Sequence, residues 1–140
     1  MTLVVDASVA VKWLFPEIYT EAAKRVLKKT REIIAPDLIW AEVASTACKK
    51  IRQGQVAPEE ALVLLREFQN YPIQTTESKA LMETALLVAH EAGLSIYDAL
   101  YLALSYDQDC SLVTADRRLY DRVHAAFPQS ETLWIEDLET

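Results

Sequence analysis

The sequence contains little glycine, cysteine or histidine, and each shortage excludes a class of site. Only 2 of the 140 residues are glycine. Neither G-x-G-x-x-G nor G-x-x-x-x-G-K-[ST] occurs, which excludes the dinucleotide and P-loop phosphate sites that depend on these patterns. Cys48 and Cys110 lie far apart, and His90 and His124 are the only histidines, so no zinc-ligand spacing is present. We expect two reduced thiols and no structural zinc.

Long apolar runs and basic segments are also missing. No uncharged stretch approaches the roughly 20 apolar residues that span a bilayer, and the N-terminus lacks the basic start of a signal peptide. We therefore expect a cytoplasmic protein without membrane contact. Acidic residues outnumber basic ones by 21 to 14, giving a net charge of -7, which argues against a simple nucleic-acid-binding module. An enzyme that holds phosphate through carboxylate-bound metal ions remains compatible with this charge.

The chain has the length and composition of one domain, which we place at residues 1–140. Hydrophobic residues make up 51% and charged residues 25%, a balance typical of a folded core. Short β-branched runs alternate with longer helical patterns, which predicts an α/β fold with a parallel sheet covered by helices. The predicted strands are 3–5, 33–35 and 111–114, with 72–75 as an edge strand and 132–135 as the last. The predicted helices are 17–30, 37–52, 58–70, 78–92, 96–106 and one after Asp116.

Four acidic residues stand where such a fold gathers functional groups. Asp6 and Asp116 follow predicted strands, at the carboxyl edge where open parallel sheets bind ligands. Glu42 lies about one turn into a predicted helix, and Asp98 opens a strongly apolar helix. Two carboxylates about 4 Å apart repel each other by about 4 kcal/mol at an effective dielectric constant near 20, so a pocket holding all four needs shared protons or a cation. Mg²⁺ or Mn²⁺ meets that need.

Each acid also has a purely structural interpretation. Asp6 and Asp116 precede helical segments and suit N-caps, and Ser95 with Asp98 matches a capping box that has Asp in place of Glu. Glu42 suits a solvated position in a first helical turn, which the helix dipole favours. The sequence is compatible with both roles for these acids.

Four segments, taken together and in order, resemble the acidic signatures of PIN-domain ribonucleases. They are 4–13 (VVDASVAVKW), 41–42 (AE), 97–99 (YDA) and 113–116 (VTAD). Within that family the chain most resembles the VapC toxins of toxin-antitoxin pairs, over essentially its whole length. The resemblance implies a three-layer α/β/α sandwich around a central, mainly parallel sheet. It also implies a ribonuclease that cleaves single-stranded RNA with Mg²⁺ or Mn²⁺.

The resemblance assigns roles position by position. Asp6, Glu42, Asp98 and Asp116 match the catalytic acidic quartet. We expect Asp6, Asp98 and Asp116 to be the principal metal ligands, directly or through water, with Glu42 either a ligand or the group that orients the attacking water.

Two hydroxyl residues and two protein partners complete the expectation. Ser8 and Thr114 match the hydroxyl positions that flank the quartet and are expected to hydrogen-bond a carboxylate or a water of the site. Local capping is the alternative role for both hydroxyls. The resemblance further implies a homodimer and a small antitoxin whose C-terminal segment covers the active-site groove.

An acidic enzyme needs local positive charge to hold RNA, and the candidate RNA contacts are Lys12, Arg117 and Arg118. The basic cluster 49–52 is better explained by cations that complement a helix C-terminus. Trp13, Phe15 and Trp40 either stack on bases or belong to the core.

Other function classes fit less well. An aspartate-based phosphotransfer or receiver module also places an acid after its first strand. The phosphatases of that type need a second Asp two positions on, where this chain has Ser8, and no strand-end lysine of a receiver is evident. His90 and His124 lie on helical patterns with no nucleophile elbow, which disfavours a serine or cysteine hydrolase. A non-catalytic PIN-fold binding module stays an alternative that the intact quartet disfavours.

Overall fold

Five parallel strands form the centre of the fold. The computed structural model describes residues 1–138. The strands are β1 (Thr2–Val5), β2 (Glu32–Pro36), β3 (Ile73–Thr76), β4 (Ser111–Thr114) and β5 (Leu133–Trp134). Their order is β3-β2-β1-β4-β5, and the four pairings between neighbours are all parallel. The predicted α/β class and the edge position of the strand near 72–75 are confirmed.

Helices cover the sheet on both faces. Within residues 1–138 they are α1 (Ala7–Leu14), α2 (Thr20–Lys29), α3 (Ile39–Arg52), α4 (Pro58–Phe68), α5 (Met82–Ala92), α6 (Ile96–Asp107) and α7 (Arg117–Ala126). A short 3₁₀ helix (Ser78–Leu81) leads into α5. None of the helices within residues 1–138 has the length and hydropathy of a bilayer-spanning segment.

The strands bury side chains on both faces, since successive residues of a strand point to opposite sides. Val4 and Ile34 belong to one buried cluster together with the apolar faces of α3 and α6. Leu3, Val5 and Ile33 belong to a second cluster together with α2. These two clusters make the fold a three-layer α/β/α sandwich, as the resemblance implied.

The strand order creates a crevice at the carboxyl ends of β1 and β4. From β1 the chain moves outward through β2 to β3, and it then returns to the other side of β1 to place β4 and β5. Val5 of β1 is paired with Val113 of β4, so the residues that follow these strands emerge side by side. A parallel sheet binds ligands at such a point of reversal.

Helix α1 was not among the predicted helices, and several element boundaries differ from the sequence prediction. The helix predicted from residue 17 begins at Thr20, because Tyr19 has a left-handed backbone (φ 67°) and the Glu17 amide donates to the Thr20 hydroxyl. The helix predicted from residue 78 starts with the 3₁₀ helix and becomes α-helical at Met82. Pro36 does not end β2 early, since it is the last residue of the strand and is paired with Thr76.

Candidate active site

Asp6 lies at the junction of β1 and α1, where the chain turns from strand to helix. It is the N-cap of α1 and accepts a 3.4 Å hydrogen bond from the Val9 amide. Its side chain is buried and receives two further hydrogen bonds, one from the Ser8 hydroxyl and one of 2.7 Å from the Thr114 hydroxyl. The carboxylate of Asp6 is therefore held in one orientation at the crevice.

The two hydroxyls also join the ends of β1 and β4. The Ser8 oxygen accepts a 2.9 Å hydrogen bond from the Ala115 amide, and the Thr114 oxygen accepts one of 3.0 Å from the Asp116 amide. Each hydroxyl thus uses its donor for Asp6 and its acceptor for the chain that follows β4. This network connects Asp6 to the backbone that carries Asp116.

Asp116 and Asp98 come to the same crevice from the starts of two helices. Asp116 caps α7 by accepting hydrogen bonds from the Arg118 and Leu119 amides, at 3.0 and 3.2 Å. Asp98 lies in the first turn of α6, whose N-cap is the Ser95 hydroxyl, 3.1 Å from the Asp98 amide. The capping interpretation is therefore correct for Asp6, Asp116 and Ser95, and it coexists with a position at the crevice.

Glu42 is held by a residue that the sequence analysis missed. Its carboxylate accepts a 2.6 Å hydrogen bond from the hydroxyl of Tyr101, a side chain that is 1% exposed. The Tyr101 hydroxyl also interacts with the backbone of Ala7. Glu42 is thus half-buried and tied to α6, and the alternative interpretation as a solvated first-turn acid does not describe it. The available signal was the spacing of Tyr101 from Asp98, because residues three apart share a helix face and a buried tyrosine hydroxyl needs a partner.

The four acids line one cavity, which we call the acidic cavity, with a volume of about 320 Å³. Tyr101 and Ser8 contribute to its wall, as do two hydroxyl residues of α3 that the sequence analysis did not single out, Ser45 and Thr46. Its walls come from α1, α3, α6 and the start of α7, which are far apart in sequence. The fold therefore brings together all four acids that the sequence predicted would converge.

Burial and mutual repulsion make ionisation of the carboxyl groups in the acidic cavity unfavourable. Burial raises the pKa of Asp6 to about 7, the hydrogen bonds from Ser8 and Thr114 oppose the rise, and the charges of Asp98 and Asp116 add to it. Burial also raises the pKa of Glu42, against the hydrogen bond from Tyr101. The pKa of Asp98 is raised by burial and then by the charge of Asp116. A bound cation would relieve all of these costs.

The donors of the acidic cavity suit a hard divalent cation. Carboxylate oxygens are the ligands that Mg²⁺ and Mn²⁺ prefer, and Mg²⁺ keeps several waters when one or two carboxylates hold it. Within residues 1–138 no three acidic, histidine or cysteine side chains already stand around one ion-sized point. Direct ligation by three of these carboxylates would therefore require side-chain rotation.

The three predicted RNA contacts differ in their exposure and in the groups that surround them. Lys12 is 7% exposed and its ammonium forms a 2.8 Å ion pair with Glu17. Arg117 lies over the ring of Trp134, with 4.0 Å from the guanidinium carbon to the ring centroid. Arg118 is exposed, and its charge partly opposes the rise that burial causes in the pKa of Asp98. Of the three predicted cations, Arg118 is the one whose charge reaches the acidic cavity without an intervening ion pair or aromatic ring.

The three aromatic candidates pack into the protein. Phe15 is 6% exposed and belongs to a buried cluster. Trp13 is half-buried, with its indole N–H donating to the carbonyl of Ala23 at 2.7 Å. Trp40 packs against the ring of Phe68. The core interpretation therefore describes these side chains.

The fold is that of a known family. A family model described as the PIN domain matches residues 3–125, so the chain belongs to the PIN domain family. Ribonuclease VapC3 of Pyrobaculum aerophilum is 32% identical over 127 residues, which cover 89% of this chain and 97% of that protein. Ribonuclease VapC9 of Mycobacterium tuberculosis is 29% identical over 126 residues, covering 90% of this chain and 94% of that protein. Within the PIN domain family, the chain is thus similar to the VapC ribonucleases.

Solved structures share the fold at low sequence identity. PAE2754 from Pyrobaculum aerophilum superposes with a TM-score of 0.73 at 24% identity, covering 97% of this chain and 85% of that one. VapC20 of Mycobacterium tuberculosis, a sarcin-ricin loop cleaving toxin, gives 0.64 at 16%, covering 85% and 93%. VapBC2 from Rickettsia felis, bound to a DNA fragment from its promoter, gives 0.61 at 15%, covering 96% and 97%.

Proposed function

We propose that this PIN domain protein is an endoribonuclease that cleaves single-stranded RNA with Mg²⁺ or Mn²⁺. The observation that carries the proposal is the convergence of Asp6, Glu42, Asp98 and Asp116 on one cavity at the crevice between β1 and β4. The ribonuclease names of the VapC relatives support the reaction class. The donor chemistry of the acidic cavity supports the metal requirement.

Asp6, Asp98 and Asp116 would hold the cation. When bound, Mg²⁺ or Mn²⁺ would lower the pKa of a water and offset the negative charge that builds on the cleaved phosphate. Asp6 enters this role already oriented, because Ser8 and Thr114 donate to its two carboxylate oxygens. Such outer hydrogen bonds keep a ligand in the geometry that the reaction needs.

Glu42 would orient the attacking water or share in holding the cation. The 2.6 Å bond from Tyr101 occupies one of its oxygens and leaves the other for a water or a cation. A carboxylate whose position is fixed before substrate binds loses no entropy in becoming aligned. Tyr101 acts here as a positioning residue, because it touches Glu42 and not the substrate.

The direct test is cleavage of defined RNAs by the purified, partner-free protein. Single-stranded and hairpin RNAs are incubated with Mg²⁺, Mn²⁺ or EDTA, beside the variants Asp6→Asn and Asp98→Asn. We expect endonucleolytic cuts that leave 5′-phosphates, lost in EDTA and in both variants. Asp121→Asn, which changes an exposed carboxylate outside the acidic cavity, is the matched control and keeps full activity. Cleavage that survives EDTA or either active-site substitution rules the proposal out.

We further propose that the protein is the toxin of a toxin-antitoxin pair and acts in the cytoplasm as a homodimer. The similarity in fold to VapBC2 and to VapC20, a cleaving toxin, supports the toxin-antitoxin part of this proposal. The partner would be a short protein whose C-terminal segment covers the acidic cavity. Co-expression with the neighbouring short reading frame should yield a complex without ribonuclease activity, and light scattering of the free protein should give the mass of a dimer. A neighbouring protein that binds and leaves cleavage intact would contradict the pairing.

A further inference from the structure

A second, smaller cavity adjoins the acidic cavity. It has a volume of about 160 Å³, and Asp98 and Asp116 belong to the walls of both cavities. Its other charged wall residues are Arg118 and Arg122, one helical turn apart on α7. A chain of net charge -7 thus places two guanidinium groups against two carboxylates of its candidate active site.

The two arginines are held in different ways. Arg122 is half-buried, and its Nη1 donates a 2.6 Å hydrogen bond to the carbonyl of Gly93, the residue that ends α5. A guanidinium carries five N–H donors, so this bond orients the group while other N–H donors remain for a ligand. Arg118 is exposed. Within residues 1–138 neither arginine forms a salt bridge, and their charges act on Asp98 only at longer range.

Two like charges at positions i and i+4 of a helix destabilise it by a few tenths of a kcal/mol. An anion bound between them would reverse the sign of this interaction. Guanidinium groups bind phosphate through parallel N–H···O hydrogen bonds and suit it better than an ammonium does. The volume of the second cavity is half that of the acidic cavity, which suits a single phosphate group rather than a base pair or a folded element.

The shared wall decides which phosphate can bind there. Asp98 and Asp116 repel a free anion from the second cavity. A phosphate in an RNA strand that is already bound at the acidic cavity is brought to the arginines by the rest of the strand. The binding of that strand offsets the repulsion by the two carboxylates. The arrangement therefore favours a phosphodiester adjacent to the cleaved one over inorganic phosphate.

We propose that Arg118 and Arg122 together form a phosphate subsite, which holds the RNA phosphodiester next to the one cleaved at the acidic cavity. The proposal rests on the ribonuclease function proposed above. Position along the sequence predicted Arg118 as an RNA contact, whereas Arg122 and the pairing of the two come from the structure. The subsite would fix the direction in which the strand crosses the crevice.

The salt dependence of RNA binding tests whether Arg118 and Arg122 contact a phosphate of the RNA. A short single-stranded RNA is titrated into Asp6→Asn protein, which should bind without cleaving, at several KCl concentrations. Each lost phosphate contact should reduce the slope of log K against log salt by about 0.7, so Arg118→Gln and Arg122→Gln should each show such a drop. Arg66→Gln on α4, exposed and outside both cavities, should keep the parent slope. Parent slopes in both α7 variants overturn the subsite.

Substrate modification identifies the phosphate. Single linkages of the RNA are replaced by neutral methylphosphonates, one position at a time, and cleavage by otherwise unaltered protein is measured. Replacement beside the cleaved linkage should raise KM several-fold with little change in kcat, and Arg122→Gln should abolish that sensitivity because the partner charge is gone. Additive effects of the two changes overturn the subsite. If Arg122→Gln fails to fold, Arg118→Gln carries the same test, since its side chain is exposed.

The two proposals fail in distinguishable ways. Absence of any RNA cleavage by the unaltered protein contradicts the ribonuclease function. Cleavage that persists while the methylphosphonate and the arginine substitutions act independently contradicts only the subsite.

Discussion

The hydroxyl of Tyr101 lies 2.6 Å from a carboxylate oxygen of Glu42, although the two residues are 59 positions apart in the chain. This bond joins α6 to α3 across the acidic cavity. Glu42 is neither a helix cap nor part of the hydroxyl network around Asp6, so this hydrogen bond is what fixes its orientation. Its removal should therefore reduce both the rate of catalysis and the stability of the fold.

Tyr101→Phe should reduce kcat by about tenfold, which corresponds to roughly 1.4 kcal/mol of lost alignment, and should leave the KM for RNA almost unchanged. The unfolding free energy should fall by about 1 to 3 kcal/mol, because Glu42 loses a buried partner. Steady-state kinetics and urea unfolding measure the two effects.

A double-mutant cycle separates positioning from general damage. In a Glu42→Gln background, Tyr101→Phe should cost little further activity, since the group it orients is already altered. Tyr106→Phe, which removes a hydroxyl from the same helix outside the acidic cavity, serves as the control. Equal losses with and without Glu42 would disprove the positioning role.

The raised pKa of Asp6 makes stability depend on pH in a defined direction. Its pKa is about 7 in the fold, against an ordinary value of 3.8, mainly because of burial. The folded protein therefore binds the proton more tightly than the unfolded chain does. The associated stability is fully present below pH 4 and is lost as pH rises through 7, by up to roughly 4 kcal/mol.

Asp6→Asn cannot ionise and should escape this loss. In EDTA, the unfolding free energy of the variant should gain on that of the parent between pH 5 and pH 8. Urea unfolding at the two pH values measures the gain, and Asp121→Asn should show none. A parent and an Asp6→Asn variant with parallel pH profiles would contradict the assignment of this pKa.

Divalent cations should stabilise the protein through the acidic cavity. At a concentration of 100 times its Kd, a ligand adds about 2.7 kcal/mol to stability, so Mg²⁺ and Mn²⁺ should raise Tm of the EDTA-treated protein by several degrees. The rise should be larger at pH 8 than at pH 6, because the carboxylates must be deprotonated to bind.

The stabilisation by cations should depend on particular acids. Asp98→Asn should lose most of the Tm shift, while Asp121→Asn should retain it. Differential scanning fluorimetry reports this without reference to activity. An undiminished shift in Asp98→Asn would place the cation elsewhere.

Glu17 lies in a loop, but we expect it to contribute substantially to the free energy of unfolding. It bonds Lys12 at 2.8 Å and Lys50 at 3.1 Å, and the side chain of Lys12 is only 8% exposed. Burial raises the pKa of Glu17, and the two ammonium groups lower it by more. The stability from this carboxylate is therefore present above its ordinary pKa and is lost as pH falls through the lowered value.

Glu17→Gln should destabilise the protein at pH 7 by about 3 kcal/mol, because it leaves the Lys12 ammonium buried without a counter-charge. The matched control is Glu21→Gln, which breaks the exposed pair with Lys24 and should cost less than about 0.5 kcal/mol. Urea unfolding compares the two variants. Similar costs for both substitutions would show that burial of Lys12 has no energetic weight.

Strand ends and helix starts made two of the acids predictable. Asp6 and Asp116 follow strands whose carboxyl ends must share an edge of any parallel sheet, so their approach required no knowledge of packing. The strand near 72–75 was also predicted as an edge strand, and it lies at the edge of the sheet beside β2. The helix boundary at Tyr19 escaped prediction because its left-handed backbone leaves no periodic signal.

The partners of the charged residues were not predictable in the same way. Lys12, a candidate RNA contact, forms an ion pair with Glu17, and Arg117 stacks on Trp134 from a distant segment. Hydrophobic periodicity tells which face of a helix is buried, but it does not tell which neighbour lies beside a given charge. Tyr101 was hidden for the same reason, since it appears in sequence as one more residue of an apolar helix.

Local chemistry along the chain was enough to specify the α/β class, the candidate acids and the caps that start α1, α6 and α7. These features depend on residues a few positions apart, whose spacing sets which backbone groups they can reach. The pairing of Tyr101 with Glu42, the burial of Lys12 and the placement of Arg122 beside Asp98 required the folded arrangement. Each depends on segments brought together by packing against the sheet, and no short stretch of residues contains that information.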